Sequence, residues 1–328
     1  MIISELLNAL KVSDLTAEAG DLPPHVNEEK TLMAPTVSVI IPTYNRPQEL
    51  MAAIGSVLNQ TYQDFEIIIV DQSEGDRAQQ IISDLGEERI RYVECRREGN
   101  FRGVSKARNQ GIKMAHGRFL AFLDDDDLWL PNKLEKQVML MENSSPNVGL
   151  IYCGCKRISV IDNELIKVDV PKHRGDVAQD IMRSGFILTI TTLIRKECFE
   201  NVGMFDETME IAEDWDMWVK IGKAYHFDYI PDALAIYNVR PNAYNGPKPL
   251  LAWETVILKH IQDMSKKTAG SVYNRAAIAF YFVGDKVKAK KYSALALSNE
   301  IKWNYVAARL LFLFGPKFFS TVLRITKR

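Results

Sequence analysis

The sequence predicts an α/β protein: a mostly parallel sheet with helices on both faces, followed by a C-terminal helical appendage. Three observations lead there. Short β-branched runs alternate with helical segments four times between Val37 and Leu123, the order that builds a parallel sheet with crossover helices. A length of 328 residues suits one large α/β unit plus an extension. The hydrophobic fraction of 47% and charged fraction of 25% allow a sizeable core in an ordinary globular chain.

Residues 1–35 read as a preamble, a short helix and a linker. Ile2, Ile3, Leu6, Leu7 and Leu10 recur at helical spacing until Asp21-Leu-Pro-Pro breaks the pattern. The α/β unit is expected over 36–240. Val37–Pro42 is a β-branched run stopped by proline. Pro47–Gln60 is a helix with Leu50, Ile54, Val57 and Leu58 on one side. Phe65–Val70 and Arg89–Val93 are strands, separated by a polar helix that ends near Leu85. Val104–Ala115 is a helix and Arg118–Leu123 the fourth strand. The second half is less regular. Val148–Val160 reads as one or two strands, Asp176–Ser184 as a helix, Leu188–Ile194 as a strand, Glu213–Lys223 as a helix and Ala233–Val239 as a last strand. Residues 241–328 open with a loop and are then helical. Within them Ala276–Ser298 resembles one tetratricopeptide-type helix pair, a single copy of a unit that needs stacked neighbours.

A formal net charge of −1 gives no global field toward nucleic acid. Four cysteines in so long a chain fit a reducing compartment better than a disulfide framework. Cys153 and Cys155 share one strand face, and with no two further ligands nearby they read as packing. The start of the chain lacks the pattern of a secretory signal, and nowhere do eighteen apolar residues run together. A cytoplasmic protein is expected, placed at most on the inner face of the plasma membrane.

In an open parallel sheet, ligands bind beyond the carboxyl ends of the strands. Strand one ends at Pro42-Thr-Tyr-Asn-Arg46, strand two at Asp71 and strand four at Asp124-Asp-Asp-Asp127. Four adjacent carboxylates repel unless cations neutralise them. In an extended segment Asp124 and Asp126 share a face and can point at one hard divalent ion, Mg²⁺ or Mn²⁺, with phosphate oxygens completing its shell. The plainer reading is a helix cap near Pro131, but one Asp suffices for that. Asp71 can accept from a ribose hydroxyl or a base N–H; alone, it is as often a turn residue. Gly103, Ala107 and Gly111 form a small helix face that lets the helix approach the sheet. That approach sets Arg108 beside the acidic run, where its fork can grip a carboxylate or phosphate; a surface salt bridge is the alternative. Glu213 and Asp214 begin a helix whose Trp215, Trp218 and Val219 form a core stripe. There a carboxylate either caps the helix or takes a proton as a general base.

Taken in order, Val37-Ser-Val-Ile-Ile-Pro-Thr-Tyr-Asn-Arg-Pro47, Asp71, Ala107-Arg-Asn-Gln-Gly111, Leu123-Asp-Asp-Asp-Asp127, Gly203-Met-Phe-Asp-Glu207 and Glu213-Asp214 resemble the inverting glycosyltransferase family 2, with its GT-A fold. The resemblance covers about Val37 to Val239. It implies Pro42, Thr43, Tyr44 and Arg46 around the nucleotide and Asp71 at the base or ribose. It further implies Arg108, Asp124 and Asp125 among the residues that bind the nucleotide sugar, and Asp124 and Asp126 on the metal. Asp214 matches the family's base, with Glu213 beside it. Gln72 stands where the family often has a second acidic residue. The long acidic run leaves open whether Asp125 or Asp127 shares the metal.

The implied reaction is a single displacement that inverts the anomeric carbon. Its donor would be a nucleotide-diphosphate sugar, most commonly a UDP-sugar. Its acceptor would be a saccharide or lipid-linked saccharide in polysaccharide or glycolipid synthesis at the cell envelope. A nucleotidyltransferase would instead carry a Gly-rich loop after strand one, and Pro42–Arg46 has no glycine. A non-catalytic nucleotide-binding module is the third class, which the presence of Asp214 disfavours. Lastly, Asn304–Arg328 joins an apolar helix to scattered basic residues. Such a segment either lies on an anionic membrane or packs on the α/β unit, and weak peripheral association with a membrane is expected.

Overall fold

A computed structural model describes residues 34–95, 103–241, 248–310 and 312–313. The expectations for the N-terminal preamble, the 242–247 loop and the far tail lie essentially outside these residues. The chain runs β1 (Val37–Thr43), α1 (Pro47–Leu58), β2 (Phe65–Asp71), α2 (Arg77–Leu85), β3 (Ile90–Glu94), α3 (Val104–Met114) and β4 (Phe119–Phe122). It continues through β5 (Leu128–Trp129), α4 (Lys133–Glu142), β6 (Val148–Ser159), β7 (Leu165–Asp169), α5 (Ala178–Arg183), β8 (Thr192–Arg195), α6 (Lys196–Val202), α7 (Glu213–Ala224) and β9 (His226–Val239). Helices α8 (Lys248–His260), α9 (Lys266–Phe282) and α10 (Lys286–Asn299) follow, and residues 303–310 are helical as well.

The strands form one sheet in the order β3-β2-β1-β4-β8-β6-β9-β5, with β7 added on β6. β1 to β4 pair in parallel, as their alternation with helices predicts. From β8 onward the sheet is mixed: β4–β8, β6–β8, β6–β7 and β5–β9 are antiparallel, and β6–β9 is parallel. Helices still join most of these later strands; the direct hairpin return is β6–β7, and β8 enters the sheet reversed between β4 and β6.

β1 and β2 are buried along their whole length. Their alternate side chains feed two cores. Val39, Ile41, Ile67 and Ile69 meet Leu50, Ile54 and Val57 of α1, together with Leu134 and Val138 of α4. Ile40, Ile68 and Phe122 face Ala107, Ile112, Trp218 and Val219 on the other side. Helices α8, α9 and α10 join that second core through Val256, Val272, Ala277, Phe280 and Tyr292, and Trp253 meets Trp215 of α7 edge to face. Tyr305, Ala308 and Phe312 are buried too: Phe312 stacks on Tyr281 of α9 and Arg309 bonds the Lys290 carbonyl of α10, so the described start of the tail packs on the preceding helices.

Three details differ from expectation. Leu188–Ile194 is not one strand: Thr189–Thr191 is a 3₁₀ turn and only Thr192–Arg195 is extended. The Thr191 and Thr192 hydroxyls donate to the carbonyls of Leu188 and Thr189, which bends the run. β9 begins seven residues before Ala233, at His226. The helix pair over 276–298 is real but longer, capped by Ser265 at α9 and Asp285 at α10.

Candidate active site

The carboxyl ends of β1, β2 and β4 lie side by side, because Thr43 pairs with Asp71 and Ile40 with Phe122. Residues 124–127 are not extended; the Asp127 N–H donates to the Asp124 carbonyl across 3.1 Å and closes a turn. Burial nonetheless alternates. Asp124 and Asp126 are half-buried, whereas Asp125 and Asp127 are 5% and 1% exposed.

The cations that the acidic run demands come partly from the chain itself. Arg46 Nη1 reaches Asp125 Oδ1 at 2.9 Å and Asp126 Oδ2 at 2.8 Å. Arg240 Nε reaches Asp126 Oδ2 at 3.0 Å, and Arg108 Nη2 reaches Asp124 Oδ1 at 2.9 Å. Asp125 also accepts from the Thr43 hydroxyl at 2.8 Å and the Tyr44 N–H at 3.3 Å. Burial raises its pKa against those contacts. Asp127 accepts from the Asn238 N–H at 2.8 Å, while its Oδ2 has no partner among the described residues. Burial, and then the charge of Asp124, push its pKa well up. The run therefore divides in two. Asp125 and Asp127 hold the turn to β1 and β9, and Asp124 and Asp126 remain accessible.

Asp71 is 1% exposed and fully engaged. Oδ1 accepts from the Ser73 N–H and hydroxyl at 2.8 and 2.5 Å, and Oδ2 from the Tyr92 hydroxyl at 3.0 Å. The turn role is thus realised in this structure. Pro42 ends the buried β1 beside Thr43, and Tyr44 is 38% exposed.

Arg108 joins the two halves of the site. It is 3% exposed, and its second terminal nitrogen holds Glu213 Oε1 at 2.7 Å. The small face of α3 allows this: a Cβ on Gly111 would come within 2.4 Å of Ile40. Asn109, next along α3, donates to the Phe205 carbonyl at 2.9 Å and to Glu207 at 2.8 Å, and accepts from the Phe205 N–H. It thereby locks the Gly-Met-Phe-Asp-Glu loop against α3.

α7 starts after Ala212, which has φ +60°. Asp214 Oδ2 accepts from the Thr189 hydroxyl at 3.0 Å, and Oδ1 from the Trp215 N–H at 2.7 Å. Burial, and then the adjacent Glu213 charge, push the Asp214 pKa up to about 6, against the pull of Arg108. A half-buried carboxylate poised near neutrality suits a proton acceptor.

Reading the motifs did not identify Thr189, Arg240 or Asn238. No spacing signal marks them, since each follows from how β8 pairs with β4 and β9 with β5. Among the described residues no three His, Cys, Asp or Glu side chains converge as a complete metal cage. Asp124 and Asp126 nevertheless suit an ion that takes one or two carboxylates and completes its shell with substrate phosphates. No helix among the described residues is long and apolar enough to cross a membrane.

Residues 38–200 match the family model described as Glycosyl transferase family 2. The chain is 31% identical over 207 residues to an uncharacterised glycosyltransferase of Rickettsia prowazekii, covering 61% of this chain and 64% of that one. It is 37% identical over 187 residues to the Escherichia coli protein named UDP-Glc:alpha-D-GlcNAc-diphosphoundecaprenol beta-1,3-glucosyltransferase WfgD, covering 57% of this chain and 70% of that one. The chain thus spans less than two thirds of the rickettsial protein's length. In fold it is similar to a mannosyltransferase from Pyrobaculum calidifontis solved in complex with GDP-Man and Mn²⁺. The TM-score is 0.57 at 18% identity, with 89% of this chain and 84% of that one covered.

Proposed function

The chain belongs to glycosyltransferase family 2, with a GT-A-like α/β fold, and from that premise we propose that it transfers a sugar from a nucleotide-diphosphate donor to an acceptor hydroxyl with inversion. The observation that carries this reading is the connected line Asp124–Arg108–Glu213, with Asp214 next to its end and Thr189 on Asp214. That line joins the aspartate turn to a carboxylate with a pKa near 6. Asp214 takes the acceptor proton as the hydroxyl oxygen attacks the anomeric carbon. The nucleoside diphosphate leaves from the opposite face, so configuration inverts. Asp124 and Asp126 would hold a divalent ion, Mn²⁺ or Mg²⁺, which neutralises charge on the departing diphosphate. Arg46 and Arg240, already at Asp126, are positioned to donate to phosphate oxygens.

The names of the E. coli and Pyrobaculum proteins support a nucleotide-sugar donor, and the former supports a UDP-sugar with a lipid-linked saccharide as acceptor. Work at the cell envelope, on the inner face of the membrane, would accord with such an acceptor.

The test combines a thermal-shift screen of UDP-sugars, with and without Mn²⁺, with UDP release in the presence of acceptor. Wild type should be stabilised by its donor only with metal. Asp214→Asn should keep that shift and lose about 10²- to 10⁴-fold in turnover. Asp124→Asn/Asp126→Asn should lose the metal-dependent shift. Turnover by Asp214→Asn at the wild-type rate would refute the assignment.

A further inference from the structure

A cavity of about 90 Å³ lies among β6, β7 and the turn before β8. Its apolar wall includes Cys153, Val170, Phe186 and Leu188; Asp169, Lys172 and His173 add polar groups. The register fixes which end of the sheet it occupies. Ala121 of β4 pairs with Leu193 of β8, and Thr192 pairs with Tyr152 of β6. Tyr152 therefore sits at the end where β4 delivers Asp124. Leu188 and Thr191, both in the lining, flank Thr189, the residue hydrogen-bonded to Asp214. The 173 segment is pinned there: the Tyr152 hydroxyl donates to the His173 carbonyl at 2.8 Å and accepts from its N–H at 3.1 Å.

Size and chemistry restrict what enters. An apolar cavity of about 150 Å³ holds benzene, roughly 25 Å³ per heavy atom, so this one takes about four. A hexose is far too large, and a lone hydroxyl would leave apolar wall unfilled. An acetamido group has four heavy atoms. Its methyl suits the apolar wall, its N–H needs an acceptor such as Asp169, whose carboxylate also meets Arg157 and Lys167, and its carbonyl needs a donor such as Lys172.

Resting on the transferase reading above, we infer that this cavity is an acceptor subsite for the acetamido group of a 2-acetamido sugar, holding the acceptor hydroxyl beside Asp214. The remainder of the acceptor stays outside, which permits a long or lipid-bearing aglycone.

The experiment compares kcat/KM for octyl N-acetyl-β-glucosaminide and octyl β-glucoside, using full-length protein and the UDP-sugar it turns over. Wild type should prefer the acetamido acceptor at least about tenfold, the discrimination one small apolar group gives. Val170 is 54% exposed, so Val170→Trp brings an indole to the cavity from its solvent side rather than through the core. That variant should reduce the preference to within about threefold of unity, its transfer to the glucoside reporting that it folds. Saturation-transfer NMR should show the acetyl methyl as the most strongly saturated group in wild type. An acceptor ratio near one in wild type, a ratio that survives Val170→Trp, or saturation centred on the ring protons would each overturn the subsite while leaving the transferase reading standing. Absence of sugar transfer to any acceptor or to water would overturn both.

Discussion

Asp214 is subject to opposing influences, and its pH behaviour follows from them. Burial and Glu213 raise its pKa to about 6, and Arg108 works the other way. A base acts only when deprotonated, so the rate should climb as pH rises through about 6. Glu213→Gln removes the neighbouring negative charge and should move this acid limb to lower pH, as a pH–rate profile of kcat/KM will show. Stability carries the opposite sign. Between the unfolded value of 3.8 and the folded value near 6 the native state holds the extra proton, so stability is lost as pH rises across that window. Asp214→Asn should therefore melt higher than wild type above pH 6, by on the order of 1–3 kcal/mol, even as it loses activity. An inactive but more stable variant separates a catalytic carboxylate from a structural cap, whose loss would lower the melting point.

At the scale of elements, the approach of α3 to β1 is what brings Arg108 between Asp124 and Glu213. Gly111→Ala forces a methyl onto fully buried Ile40 and should cost about 1–3 kcal/mol in urea unfolding, with a further loss of activity as Arg108 is displaced. This element was legible in the sequence, because glycine and alanine at four-residue spacing state how close a helix can come. So were β1, β2 and β4, whose apolar runs have no plausible use except burial. β5, β7 and α6 were not legible: two- to seven-residue elements carry too little periodicity to stand out. The aspartate run stood out in the sequence as a cluster of charge but not as a shape. Its turn depends on Asn238 and Arg240, over a hundred residues away. Lys133 illustrates the same limit. Nothing local marks a lysine that ends fully buried over the Trp129 ring, its pKa lowered by burial to about 8.

For the whole molecule, the C-terminal helices are tied to α7 by charge as well as by packing. Asp216, fully buried two residues after Asp214, meets His260 Nε2 at 2.7 Å, Lys259 Nζ at 3.0 Å and Lys220 Nζ at 3.2 Å. Lys259 also holds Asp206 in the Gly-Met-Phe-Asp-Glu loop at 2.6 Å. One carboxylate thus fastens α8 to the helix that carries Asp214. Removing one member of a buried ionic cluster strands the others, so Asp216→Asn should destabilise the protein by about 3–5 kcal/mol in urea.

The three guanidiniums on the aspartate turn have a practical corollary. With Arg46, Arg108 and Arg240 already balancing Asp124, Asp125 and Asp126, the polypeptide should assemble without an ion. Protein prepared in a strong chelator should melt at the same temperature as untreated protein, and calorimetry should register a metal effect only once donor is added. Loading would then be a property of the working complex, and the resting molecule could be stored metal-stripped without harm.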